Sequence, residues 1–108
     1  MNQKNLYQGI PHELPHEIVE VLAASRSGAV RIERIVSQGH RSPEGFWYDQ
    51  DQAEWVLLVQ GAASLRFEKN DRLVHLNPGD YLNIAAHEKH RIESTSTSER
   101  AIWLAVFY

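Results

Sequence analysis

The sequence predicts an all-β fold, a barrel or sandwich of short antiparallel strands, on three observations. Apolar and polar residues alternate with a period of two along several segments, which sets one face of each against a core. Clusters of Gly, Pro, Asn and Asp interrupt those segments at the spacing of strand turns rather than of helices. The chain is 108 residues long, 43% hydrophobic and 23% charged, which is enough apolar material for one core and too little charge for a disordered chain.

Residues 1–28 read as an N-terminal arm, partly extended, because apolar positions are sparse at its start and Pro11 and Pro15 favour extended backbone before them. Such an arm lies over the barrel or against a partner subunit. Within it, 17–25 carries Ile18, Val21 and Leu22 at helical spacing but is short and rich in β-branched residues, which favours a strand or single turn. The remaining residues, 29–108, form a single barrel domain. Val30, Ile32, Arg34 and Val36 alternate with Arg31, Glu33, Ile35 and Ser37, and Ala63, Leu65 and Phe67 with Ser64, Arg66 and Glu68. Lys69-Asn70-Asp71 is a hairpin turn into a strand at 73–76, and Asn77-Pro78-Gly79-Asp80 is a turn that opens a strand at 81–84. A strand at 90–94 leads into the Ser/Thr-rich loop 94–98. The last segment, 101–108, is apolar on both faces and is expected to be central or sandwiched. About seven or more strands are expected between Val30 and Tyr108.

Composition excludes several classes of function. There is no cysteine, so disulfide scaffolds, thiolate zinc sites and thiol nucleophiles are ruled out. A net charge of -3 gives no electrostatic reason to expect nucleic acid or an anionic membrane as partner. The apolar runs fall short of the ~20 residues that span a bilayer, and residues 1–20 lack a signal-peptide core, so a cytoplasmic location is the simplest expectation. A small barrel leaves edge strands to cover, and a homodimer is expected for that reason.

Two charged side chains fall on apolar faces. Glu54 is in phase with Val56 and Leu58, and His90 with Ile92. A carboxylate and an imidazole turned into one small core must be neutralised, hydrogen-bonded or bound to a cation. Phase alone leaves two readings open. Glu54 pairs with an inward Arg34 beside a neutral, hydrogen-bonded His90, or both hold a divalent metal ion. Phe46, Trp47 and Tyr48 pack in the core or wall a pocket, and His40 sits in a loop rich in Gly, Ser and Pro.

From about Ile32 to Val106 the chain resembles the cupin superfamily. The segment from Glu54 to Gly61 matches the second half of that family's first motif, a histidine pair followed by Glu, six residues and Gly. Gly79 and His90 keep the outer positions of the second motif, which runs Gly, five residues, Pro-x-Gly, two residues, His. The departures are specific. The first-motif histidines should fall on 47 and 49 or on 48 and 50, where this chain has Trp47, Tyr48, Asp49 and Gln50, while Ala85 and His87 replace the Pro and Gly of the second.

The resemblance implies a jelly-roll β-barrel of two antiparallel sheets, often dimeric, with any metal inside it. It implies a divalent transition metal, Zn, Fe, Mn or Ni, held by Glu54 and His90 with Asp49 and His87 as further ligands. His87 reaches such an ion only from the turn before the last motif strand. The partner implied is a small organic molecule. The activity is either that of a metal-dependent dioxygenase or isomerase, or that of a non-catalytic binding or sensing module whose metal is structural or absent.

Overall fold

The computed structural model of the chain describes residues 2–108. Eight strands are present: β1 Ile18–Ala24, β2 Arg31–Ser37, β3 Glu54–Gln60, β4 Ala63–Phe67, β5 Arg72–Leu76, β6 Tyr81–Ile84, β7 His90–Thr95 and β8 Ala101–Phe107. They form a five-stranded sheet in the order β1-β2-β8-β3-β6 and a three-stranded sheet in the order β5-β4-β7, with every pairing antiparallel. The alternation predicts the all-β class, and the two antiparallel sheets are the jelly roll that the resemblance implies. Among the described residues no helix is long and apolar enough to cross a membrane.

The helical spacing in 17–25 gives way to a strand because β2 supplies a partner, Ile18 lying opposite Val36 and Val21 opposite Glu33. β8 occupies the centre of the larger sheet, between β2 and β3, and buries Ala101, Ile102, Trp103, Ala105 and Phe107. Its unbroken apolar run reflects cover on both faces. The core between the sheets gathers Val56 and Leu58 of β3, Leu65 and Phe67 of β4, Leu76 of β5 and Ile84 of β6 around Trp103 and Phe107.

Two local expectations change. Strand β7 runs on to Thr95, inside the tract read as a loop. Thr95 is buried and its hydroxyl donates to the His40 carbonyl at 2.6 Å, so the polar side chain is satisfied without solvent. In β2 both faces are covered. Arg34 is buried on the face away from the barrel interior, where it donates to the carbonyls of Leu6 (2.8 Å) and Gln8 (2.6 Å) and pairs with Glu20 at 2.7 Å. The N-terminal arm therefore lies over its own barrel, and the pairing of Glu54 with an inward Arg34 does not form. Arg31, Glu33 and Ile35 take the interior face instead.

Gly61 shows why the first motif ends in glycine. Its φ of +85° is left-handed, and a Cβ there would lie 2.8 Å from the Arg100 carbonyl oxygen. The turn from β3 to β4 has no room for a side chain.

Candidate ligand pocket

Glu54 opens β3, the strand between β6 and β8, and its alternation with Val56 and Leu58 carries all three inward. His90 opens β7 in the other sheet. The two sheets thus bring together two residues far apart in sequence, with Glu54 Oε1 at 3.5 Å from His90 Nε2 and their side chains only 11% and 6% exposed. The His90 backbone exchanges hydrogen bonds with Tyr48, Tyr48 N–H to His90 O at 2.7 Å and His90 N–H to Tyr48 O at 3.2 Å. The segment at Tyr48 therefore acts as a short extra strand along β7. The imidazole lies between the rings of Tyr48 (5.4 Å, near-parallel) and Phe67 (6.0 Å).

The protonation of His90 follows from its partners. Nδ1 lies 2.8 Å from the Glu88 carbonyl, an acceptor only, so Nδ1 carries a proton. Nε2 faces the Glu54 carboxylate. Burial pushes the pKa of His90 down, but the Glu54 carboxylate and the Glu88 carbonyl outweigh it and the net shift is upward. The Gln50 amide donates to the same Glu54 oxygen at 3.1 Å. Tyr48 is held as a neutral phenol, its pKa raised by burial and then by the nearby Glu17 and Glu54.

Tyr48, Gln50, Glu54 and His90 line a cavity of about 250 Å³. Val19, Ile35, Val56, Leu65, Ile84, Ile92, Trp103 and Phe107 form its apolar wall, and Glu17, Arg31 and Glu33 complete its lining. An apolar cavity with a few convergent polar groups is the usual form of a small-molecule site.

The four expected ligands do not converge. Asp49 and His87 lie outside the cavity and pair with each other at the surface, His87 Nδ1 at 2.7 Å from Asp49 Oδ1, with side chains 64% and 44% exposed. His87 sits in the turn before β7, as expected, but with a left-handed φ of 62° that turns it outward to Asp49 and Asp51. The interior first-motif positions are Tyr48 and Gln50, which share the phase of Glu54. Counting by twos back from Glu54 selects them over Trp47 and Asp49. Of the three neighbouring aromatics only Tyr48 lines the cavity; Phe46 stacks edge-on against it at 4.8 Å and Trp47 lies under Arg91. His40 accepts from the Gln38 amide in its own loop. Nothing in the sequence singles out Arg31 and Glu33, since either face of β2 carries charge, or Glu17, which lies in the arm just before β1.

The donor set does not fit a resident transition-metal ion. Such sites take three or four ionisable ligands from the protein, and among the described residues no three His, Cys, Asp or Glu side chains are grouped to hold one. Beyond Glu54 and His90 this cluster offers a neutral phenol and an amide already bonded to Glu54.

No family model and no curated protein matches the chain. Among solved structures it is similar to a protein of Ralstonia eutropha JMP134 provisionally named a mannose-6-phosphate isomerase. The two share 39% identity over 99% of this chain and 97% of that one, with a TM-score of 0.92. A cupin superfamily protein of Desulfitobacterium hafniense DCB-2 is 23% identical over 91% of this chain and 82% of that one, with a TM-score of 0.72. The fold is also that of cobalt(II) HppE in complex with Tris, 15% identical over 93% of this chain and 57% of that one, with a TM-score of 0.72.

Proposed function

Because the chain belongs to the cupin superfamily, we propose that its barrel takes up a small organic molecule, with Glu54 and His90 as the polar anchor in place of a resident metal. The observation that carries this reading is the cavity of about 250 Å³ with a buried carboxylate–imidazole pair in its lining. A bound molecule would meet an acceptor in Glu54, a donor in His90 Nε2 when protonated, and the Tyr48 hydroxyl, three groups able to orient it and to exchange a proton with it. The apolar wall would exclude water from its other side.

The substrate in the name of the Ralstonia protein, mannose 6-phosphate, is a poor match for this lining. A phosphate needs a free cation or several N–H donors, and Arg31, the one lining guanidinium, is already paired with Glu33 at 2.7 Å and lies over the Phe107 ring at 4.4 Å. A divalent ion on Glu54 and His90 is the second reading. It is favoured by the Nδ1 proton of His90, which leaves Nε2 free to ligate, and by the cobalt in one structural neighbour.

The test uses 2-phenoxyethanol, a neutral probe of suitable size, in thermal unfolding and calorimetry, together with elemental analysis of untagged, metal-supplemented protein. A rise in Tm that a cavity-filling Leu65→Trp variant loses, with well under one ion per chain, supports the proposal. One ion per chain, lost in His90→Ala and weakened in Glu54→Gln, establishes the metal reading instead.

We also propose a homodimer through β1. This edge strand exposes Val19, Val21 and Leu22 at 54%, 58% and 46%, apolar surface of the kind a second edge covers. Light scattering at micromolar concentration should give about twice the chain mass, and a clean monomer contradicts it.

A further inference from the structure

The cavity lining is electrically lopsided. It contains three carboxylates, Glu17, Glu33 and Glu54, against one guanidinium, Arg31, and one imidazole, His90, so its net charge is negative in either state of His90. Two of the carboxylates have basic partners, Glu33 in Arg31 and Glu54 in His90, the second a cation only when protonated. Glu17 has none: its carboxylate accepts the Ser37 hydroxyl at 2.6 Å and, among the described residues, forms no ion pair. Glu17 is only partly buried, so beyond that one neutral hydrogen bond its charge is met by solvent and stays open to a bound cation.

We infer that the ligand of this pocket is a small organic cation, with Glu17 as the counterion that selects its charge. The inference rests on the small-molecule reading above and names the class of molecule. Aromatic rings favour the same charge: Tyr48, Trp103 and Phe107 all line the cavity, and ring faces attract cations. The raised pKa of Tyr48, caused by burial and then by Glu17 and Glu54, is consistent with both carboxylates acting on one enclosed space.

Three probes of one skeleton test it: 2-phenoxyethylamine, 2-phenoxyethanol and phenoxyacetate, which keep the ether oxygen and ring while the charge runs from positive through neutral to negative. Calorimetry at pH 8 and low salt should rank the amine first and the acid last, about tenfold or more apart, a difference of ~1.4 kcal/mol. Glu17→Gln should narrow that ratio at least about threefold, and Glu17→Asp should keep most of it, since the charge rather than the packing selects. Circular dichroism on each variant confirms the barrel. Equal affinities, tighter acid binding, or an undiminished preference in Glu17→Gln overturns the inference while leaving the small-molecule pocket standing, because 2-phenoxyethanol still binds. If none of the three binds, both the inference and the pocket reading fall.

Discussion

Two histidine–carboxylate pairs flank the segment that leads into β3, one on each side of the barrel wall. Asp49 and His87 meet at 2.7 Å with side chains 44% and 64% exposed, whereas Glu54 and His90 stand 3.5 Å apart with side chains 11% and 6% exposed. The shorter contact is the weaker interaction. Water screens the surface pair and competes for its hydrogen bonds. The interior pair has lost its water, so each member depends on the other and on Gln50 and the Glu88 carbonyl. A distance acquires an energetic meaning only together with burial.

The largest expected effect follows from that dependence. His90→Ala leaves Glu54 facing an apolar cavity without its cation and removes the ring between Tyr48 and Phe67, so urea unfolding should show a loss of about 3 kcal/mol, the range for breaking a buried pair. His87→Ala should lose less than about 1 kcal/mol. Similar losses from the two substitutions would abolish the contrast.

A second measurement concerns pH. The pKa of His90 is raised in the fold above its ordinary value of about 6.5. A group with a raised folded pKa binds its proton more tightly in the native state. Its stabilisation is therefore complete below the unfolded pKa and is lost as pH rises through the folded one. The unfolding free energy of the unsubstituted chain, minus that of His90→Gln, should decline as pH increases from about 6.5. Glu54→Gln should flatten that difference, because the carboxylate provides a main part of the upward shift. A difference that grows with pH would mean that His90 is buried as a neutral group and that Glu54 does not hold its proton.

The same contrast explains what was legible in the sequence. Phase along β3 and β7 places Glu54 and His90 inside, because a strand with one covered face obeys a period of two and both residues share the face of aliphatic neighbours. β8 was legible as central from its two apolar faces. Asp49 and His87 were candidate ligands because family spacing counts positions along the chain without recording which way a turn points. Counting by twos back from Glu54 already turns Gln50 rather than Asp49 inward, whereas the left-handed backbone at His87 settles its direction only in three dimensions. β2 was legible as a strand but not as to its faces, because the arm at Leu6 and Gln8 covers Arg34 on one side while the cavity receives Arg31 and Glu33 on the other. A strand buried on both sides carries charge on both sides when each charge has a partner, Arg31 in the neighbouring Glu33 and Arg34 in Glu20 and the arm carbonyls. Glu17 lay beyond reach for the same reason: nothing within residues 1–28 signals which core they border.

The smallest effect offers the finest test of the surface pair. His87 holds a φ of 62°, which costs a residue with a Cβ about 1 kcal/mol and a glycine much less. His87→Gly relieves that strain, adds the conformational entropy of a glycine to the unfolded chain, and deletes an exposed imidazole–carboxylate contact worth under about 1 kcal/mol. These terms oppose one another, so the net change should stay within about 0.5 kcal/mol. What ties the turn to the segment at Gln50 survives the substitution, because the His87 backbone N–H still donates to the Gln50 carbonyl at 2.7 Å. Asp49→Asn isolates the remaining part: it removes the charge, keeps the strained backbone, and should lose a few tenths of a kcal/mol, a loss that disappears in high salt. If His87→Gly instead loses more than about 1.5 kcal/mol, the imidazole itself anchors the segment carrying Tyr48 and Gln50, and the surface pair supports the pocket rather than standing apart from it.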